Sequence, residues 1–116
     1  MATSTIKCSL SDWHSCALTG SYVTSSTINY CIQGKVMFFR AQVRPNQTIS
    51  SAVGTVEIAD SIGTFAAVIA YPVTLGTTVG VQNLEAWAMS GTKSFRVVGA
   101  MSANTNYYFG GIAILN

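Results

Sequence analysis

Charged residues are scarce in this chain, and their scarcity excludes several classes of function. Six Lys or Arg and four Asp or Glu make up 9% of the 116 residues, against roughly 25% in an average globular chain. The basic residues form no run and the net charge is only +2, so nucleic acid is not a predicted partner.

Long hydrophobic runs are also missing, although 49% of the residues are hydrophobic and the mean hydropathy is +0.39. No run approaches the ~20 apolar residues of a spanning helix, so membrane insertion is not predicted. The start, Met-Ala-Thr-Ser-Thr, lacks the basic and apolar segments of a signal peptide. The high apolar content, without a membrane-spanning segment, predicts an oligomer whose subunits bury apolar surface against one another.

Residues for catalysis are few and badly placed. The single histidine, His14, stands too near Ser11 and Asp12 in sequence to form a triad from separate elements. Glu57 and Asp60 straddle a strand end and a turn, whereas a glycosidase needs two carboxylates across a cleft. One histidine and isolated acids build no zinc or calcium site, and no glycine-rich phosphate loop precedes a helix. The sequence predicts no catalytic residue, metal or cofactor.

Three cysteines, Cys8, Cys16 and Cys31, make an odd count with no metal or redox spacing. All three alternate with polar neighbours, so we expect buried free thiols. Free thiols in turn favour folding in a reducing compartment.

Period-2 alternation recurs along the chain and helical periodicity is nearly absent. The predicted strands fall near 6–10, 16–18, 28–32, 36–43, 55–59, 64–71, 79–89 (with a break near 82–83), 93–99 and 107–115. Short strands separated by turns favour a sandwich or barrel. The sequence therefore predicts one all-β domain over 1–116, an antiparallel β-barrel or jelly-roll-like sandwich of about eight strands.

Local features refine this outline. Gly34-Lys35 and Ser90-Gly91-Thr92 are predicted hairpin turns. The segment 64–71 is apolar on both faces, which predicts a strand covered on each side by sheets or by a neighbouring subunit. Gly110 and Gly111 inside the last strand predict a bulge or a close backbone approach.

The predicted ligand site centres on Trp87 and Glu85, which alternate with small residues and point outward together if the small face is core. An aromatic ring beside a carboxylate makes a plausible sugar platform. Arg96, on the next strand, is expected to pair with Glu85 across the hairpin. The alternative for Trp87 is packing in a core or subunit interface.

Two further residues complete the predicted ligand-binding set. Tyr107 follows the polar loop 102–106, and either it or Tyr108 must face outward. Asp60, in the turn 60–63, is included as another polar group.

Three stretches of the chain resemble a known family. They are Trp13 to Leu18 (Trp-x-x-x-x-Leu), Tyr30-Cys-Ile-Gln-Gly-Lys-Val-Met-Phe, and the C-terminal Phe-Gly-Gly-Ile-Ala-Ile-Leu. Together the pattern is similar to the C-terminal head domains of receptor-binding proteins and tail fibres of tailed phages, especially those of Gram-positive hosts.

The resemblance implies a homotrimeric barrel or jelly-roll-like knob that binds host cell-surface saccharides and mediates adhesion without catalysis. It also implies a virion protein of the tail tip or baseplate that is assembled in the host cytoplasm. Two other functions remain open: a structural virion protein such as a decoration or minor capsid subunit, and a non-viral lectin or carbohydrate-binding module.

Overall fold

The computed structural model describes residues 12–49, 53–75 and 84–116, and their regular structure is almost entirely β-strand. Within these ranges the strands are β1 (His14–Thr19), β2 (Thr27–Gln33), β3 (Val36–Val43), β4 (Val53–Ile58), β5 (Ile69–Pro72), β6 (Thr74–Leu75), β7 (Glu85–Ala88), β8 (Ser94–Val98) and β9 (Tyr107–Ile114). The predicted all-β fold is confirmed, with nine strands in place of about eight.

The strands form one antiparallel sheet that curls into a nearly closed barrel. Their order is β5-β7-β8-β4-β1-β2-β3-β9-β6. The two end strands, β5 and β6, belong to one stretch of chain interrupted only by the buried Val73. The chain therefore leaves one edge of the sheet and joins the other, which brings the two edges together along a seam between β5 and β9.

Alternating side chains fill the barrel interior. On β3, Met37, Phe39, Ala41 and Val43 are buried, as the alternation predicts. Phe39, Phe65, Tyr71, Phe95 and Phe109 form an aromatic cluster with ring centroids 5.0–6.3 Å apart. Because the cluster draws rings from both sides of the seam, the hydrophobic effect holds the barrel together where the backbone ladder does not.

The two predicted hairpin turns are confirmed. Gly34 has φ +62° between β2 and β3, a backbone conformation that glycine adopts without strain. Gly91, between β7 and β8, also has a positive φ. The turn at Gly34 fixes a register in which Asn29 lies opposite Arg40 and Thr27 opposite Gln42.

The prediction of one continuous strand over 64–71 is wrong, while cover by a neighbouring subunit stays a prediction. Only Phe65, which forms an isolated bridge with Leu115, and β5 from Ile69 onward are paired. Residues 66–68 are exposed, and the side chain of Val68 is 54% accessible. The segment crosses from one part of the barrel to another, so its apolar residues are not enclosed between two layers.

The prediction of free thiols is confirmed for Cys16 and wrong for Cys31. Cys16 is free and half-buried, and burial raises the pKa of its thiol. Cys31 is disulfide-bonded and only 1% exposed. The inference of a reducing compartment therefore loses one of its premises, because disulfides persist mainly in oxidising environments.

Some predictions fall on residues that the structure does not describe. They are Cys8, the strand at 6–10, and the N-terminal part of the strand at 79–89 with its break. Among the described residues, none forms a helix with the length and hydropathy needed to span a membrane.

Candidate functional site

The structure brings together three of the five predicted ligand-binding residues on the outside of β7 and β8. Glu85 is exposed and Trp87 half-buried, while Ala86 and Ala88 between and beyond them are buried. The Trp87 indole N–H donates a 2.7 Å hydrogen bond to the Glu85 carboxylate. This outward aromatic–carboxylate pair has the orientation that the alternation predicts.

Arg96 lies beside this pair, but not in the predicted contact. Its cross-strand partner is Trp87, whereas Glu85 lies opposite Val98. Among the described residues, the only ion pair within 4.0 Å joins Lys93 to Glu57, at 3.9 Å. The expected Glu85–Arg96 ion pair is therefore not formed, since the register places the two residues diagonally.

Tyr107 is in the core rather than at a ligand surface. Its ring is 4% exposed, and its hydroxyl accepts a 2.7 Å hydrogen bond from the Ser102 backbone N–H. The outward tyrosine is its neighbour Tyr108, with 37% exposure. Tyr107 thus anchors the loop that precedes β9, and Tyr108 takes the surface position.

Asp60 lies at one end of the barrel, apart from the other predicted residues. Its carboxylate accepts a 2.7 Å hydrogen bond from the Tyr30 hydroxyl. Burial, together with this carboxylate, raises the pKa of Tyr30. Asp60 therefore holds a core tyrosine in its neutral form.

A cavity of about 560 Å³ opens at this barrel end, lined in part by Asp12, His14, Tyr30 and Ser61. The His14 and Tyr30 rings are 5.5 Å apart. Among the described residues, no three His, Cys, Asp or Glu side chains are grouped so as to hold a metal ion.

A second cavity of about 560 Å³ is a groove on the outer face of β2, β3 and β9, which we call the seam groove. Its size lies within the roughly 300–1,000 Å³ of small-ligand sites. It is lined by Thr27, Asn29, Arg40, Gln42, Thr74 and Tyr108, among others. The lining thus combines one aromatic ring with hydroxyl, amide and guanidinium groups.

Strand register builds the groove in two rows across the sheet. Thr27, Gln42, Tyr108 and Thr74 form one row. In the second row Asn29 and Arg40 are followed by Gly110, which has no side chain. The depression lies at this missing side chain.

Gly110 also allows β9 to approach β3 closely. A Cβ atom there would stand 2.7 Å from the Phe39 carbonyl oxygen and 3.1 Å from the Arg40 Cα. The β3–β9 register runs through Gly110 and Gly111 without interruption. Of the two predicted alternatives, close approach is therefore the one observed, and no bulge forms at this pair.

The backbone of Gly110 faces the seam. Three carbonyl oxygens of β9 accept hydrogen bonds from the seam side. The Tyr108 oxygen accepts from the Thr74 hydroxyl, the Ile112 oxygen from the Tyr71 hydroxyl, and the Ile114 oxygen from the Ala66 N–H. Backbone groups of alternate residues point to the same side of a strand, so those of Gly110 also face the seam.

Gly110 has no β6 partner, since β6 pairs only with Tyr107 and Tyr108. Pro72, which also lines the groove, has no N–H to donate. Pro72 therefore donates no ladder hydrogen bond to the Gly110 carbonyl oxygen, and a peptide acceptor at the groove floor suits a hydroxyl-bearing ligand.

The seam groove and the predicted pair at Trp87 share one continuous outer surface. Pro72, at the groove edge, is the cross-strand partner of Glu85, and Ala70 is that of Trp87. A ligand longer than the groove would thus extend over Pro72 toward Glu85.

The predicted ligand-binding set contains none of the groove's lining side chains, and those with amide, guanidinium or aromatic groups are Asn29, Arg40, Gln42 and Tyr108. The signal for three of them was present, because the turn at Gly34 fixes which residues of β2 and β3 face outward together. Tyr108 was one of two alternatives in a pair, and the burial of Tyr107 decides between them.

Comparison of the chain with protein-family models, curated proteins and solved structures finds no match among them.

Proposed function

We propose that this protein is a non-catalytic binding domain for cell-surface saccharides and that the seam groove is its main site. The observation that carries the proposal is the composition of the groove. An exposed tyrosine ring and several neutral hydrogen-bonding groups line it, with the backbone of Gly110 at its floor. Sugars present both apolar C–H faces and hydroxyl groups, and such a lining complements both.

Binding without hydrolysis is favoured by the positions of the carboxylates. All four acidic residues of the chain lie in the described ranges, and none lines the seam groove. Glycoside hydrolysis by the usual mechanism needs two carboxyl groups flanking the bond, roughly 5–10 Å apart. The groove thus has the groups to hold a sugar and lacks a pair to cleave it.

The biological setting we propose is the head of a phage receptor-binding protein at the tail tip or baseplate, as the sequence resemblance implies. The antiparallel barrel agrees with the fold that this resemblance implies. Single sites of this kind bind weakly, and several copies on one particle would raise the overall avidity by about 10²–10⁴-fold.

Self-association as a homotrimer is part of this proposal, and an apolar stripe on the outer face supports it. Ile112 is 47% and Ile114 37% exposed at alternate outward positions of β9. The Ala66 N–H bonds to the Ile114 carbonyl oxygen, which brings the segment of exposed Val68 beside the stripe. The same stripe would serve a structural virion subunit, our second candidate function, since assembly needs only such surfaces.

Self-association is tested by light scattering on the purified chain. We expect a mass near three times 12.3 kDa and a monomer for the double variant Ile112→Thr, Ile114→Thr, which keeps β-branched side chains. The double variant Thr55→Ser, Thr19→Ser on other strands is the control. A monomeric wild type would contradict the trimer.

Saccharide binding is tested on an array of bacterial surface glycans with two matched aromatic variants. Tyr108→Ala removes the ring of the seam groove, and we expect its affinity to fall by about ten-fold or more, or ~1.4 kcal/mol. Trp87→Ala removes the ring of the sequence-predicted platform and should have a smaller effect.

The two variants separate the possible results. Loss of binding only in Trp87→Ala, or in Glu85→Ala, would move the site to the outer face of β7. Absence of any bound glycan would contradict the saccharide-binding function and leave the structural candidate.

A further inference from the structure

Arg40 is the charged group of the seam groove. It is exposed on β3, with Asn29 on one neighbouring strand and Gly110 on the other. Its guanidinium carbon lies 5.9 Å from the centroid of the Trp13 ring. A cation–π contact at this distance restricts the side chain, so the guanidinium is held near the Trp13 ring.

Two side-chain amides neighbour Arg40 in the lining of the seam groove. The cross-strand neighbour Asn29 and the same-face neighbour Gln42 both carry side-chain amides in the groove lining. The Gln42 amide N–H donates to the Asn106 side-chain oxygen at 3.3 Å, and Arg44 donates to the same oxygen at 3.2 Å. This side of the groove therefore carries the positive charge of Arg40, while the Gln42 amide donates to Asn106.

The four carboxylates of the chain are engaged or placed elsewhere. Glu57 pairs with Lys93, Asp60 accepts from Tyr30, and Asp12 lines the cavity at the barrel end. Glu85 is the carboxylate nearest to the groove, and it lies on β7 opposite the groove residue Pro72. Its carboxylate accepts a hydrogen bond from the Trp87 indole N–H. None of them forms an ion pair with Arg40 within 4.0 Å.

We propose that the saccharide bound in the seam groove carries an anionic group, a carboxylate or a phosphate, and that Arg40 binds it. The planar guanidinium fork matches both groups and binds them through paired, charge-assisted hydrogen bonds. A neutral sugar that covered Arg40 would offer its guanidinium only hydroxyl acceptors, without the opposite charge that compensates for the loss of water. This inference rests on the proposed saccharide-binding function and adds the chemical class of the ligand.

Two matched pairs of polysaccharides test the inference and separate the two sources of charge. Polygalacturonate is compared with its neutral methyl ester, and a phosphomannan with the same mannan after enzymatic dephosphorylation. Binding to the immobilised full chain is measured by biolayer interferometry at low and at physiological salt. We expect the Kd of one acidic polymer to be lower than that of its neutral partner by about ten-fold or more, which corresponds to ~1.4 kcal/mol of binding free energy. This difference should be smaller at higher salt.

Variants of two exposed basic residues assign the effect to the groove. Arg40→Gln should abolish the preference for the acidic polymer. Arg40→Lys should keep part of it, since the charge remains without the fork. Lys35→Gln removes the same charge from the exposed turn between β2 and β3 and should leave the preference intact. The melting temperature of each variant is measured alongside, because Arg40 also contacts Trp13.

Each remaining result counts against the inference. Equal affinity for acidic and neutral polymers overturns it, as does an equal loss in the two glutamine variants, which would show non-specific attraction. Failure of all four polymers overturns it too. The proposed function is judged separately, because a neutral glycan bound on the array and lost in Tyr108→Ala would retain saccharide binding without an anionic group.

Discussion

The hydroxyl of Tyr71 joins the two edges of the barrel, and its removal tests how the seam is closed. Tyr71 belongs to β5, is 5% exposed, and donates a 2.7 Å hydrogen bond to the Ile112 carbonyl oxygen on β9. Tyr71→Phe deletes this bond and leaves the ring, with its contacts to Phe39 at 5.0 Å and Phe95 at 6.3 Å. The substitution therefore isolates one hydrogen bond.

The expected cost is the net value of one intramolecular hydrogen bond, about 1 kcal/mol. For 116 residues, an unfolding entropy of about 2.1 cal/mol/K per residue gives roughly 0.24 kcal/mol/K. The melting temperature should thus fall by about 4 °C.

Tyr22→Phe is a matched control for which the expected change in stability has the opposite sign. Tyr22 is 6% exposed, and its hydroxyl is buried without a hydrogen-bond partner in the part of the chain that the structure describes. Tyr22→Phe removes a desolvated polar group that has no bond to lose, so we expect an unchanged stability or a gain of roughly 1 kcal/mol. Thermal unfolding followed by circular dichroism and urea titration give both values. Equal shifts in the two variants, or an unchanged melting temperature for Tyr71→Phe, would refute our account of the seam.

Three further predictions concern pH, packing and redox state. Burial raises the pKa of Tyr71 to about 12, so its contribution to stability is present below pH ~10 and lost as the pH rises through ~12. The part of the absorbance rise at 295 nm that is missing in Tyr71→Phe should coincide with unfolding, and its completion in the folded protein would contradict this. Gly110→Ala should lower stability by about 1–3 kcal/mol, because the added Cβ would lie 2.7 Å from the Phe39 carbonyl oxygen; urea unfolding measures it, and an unchanged midpoint would contradict the close approach. Alkylation of the denatured chain should modify Cys16 without reductant and Cys31 only after reduction; mass spectrometry of the peptides decides, and early labelling of Cys31 would contradict the disulfide.

The strands were predictable where local alternation matches a sheet with one buried face. β3 and β8 show this most clearly, since their inward residues are apolar and each is bounded by a glycine-containing turn. Period 2 and turn chemistry are local properties, so a single sequence contains them.

The segment 64–71 was mispredicted because most of it crosses between two parts of the barrel and does not pair along one neighbouring strand. The Phe65 N–H bonds to the Thr92 carbonyl oxygen, and the Ala66 N–H to that of Ile114. Successive residues thus bond to different parts of the barrel. A period-2 pattern carries no information about which partner each residue finds, so the sequence could not distinguish the crossing from a covered strand.

The candidate site was only partly accessible from sequence for a related reason. The outward pairing of Asn29 with Arg40 follows from one hairpin turn. The position of β9 beside β3 joins distant parts of the chain and brings Tyr108 next to Gln42. Pairings of this kind depend on the closure of the whole barrel, which local patterns do not encode.

The closure of the barrel and the seam groove have a common structural origin. At the seam, Gly111 leaves space for the Tyr71 ring, which would lie 3.2 Å from a Cβ at that position, and the Tyr71 hydroxyl binds the β9 backbone. Pro72, the next residue, has no N–H for a ladder bond to Gly110. A side chain thus closes the barrel at a point where Pro72 cannot donate to the Gly110 carbonyl oxygen. Because the ladder lacks this donor, that acceptor lies at the floor of the seam groove, beside Arg40, which forms no ion pair within 4.0 Å among the described residues.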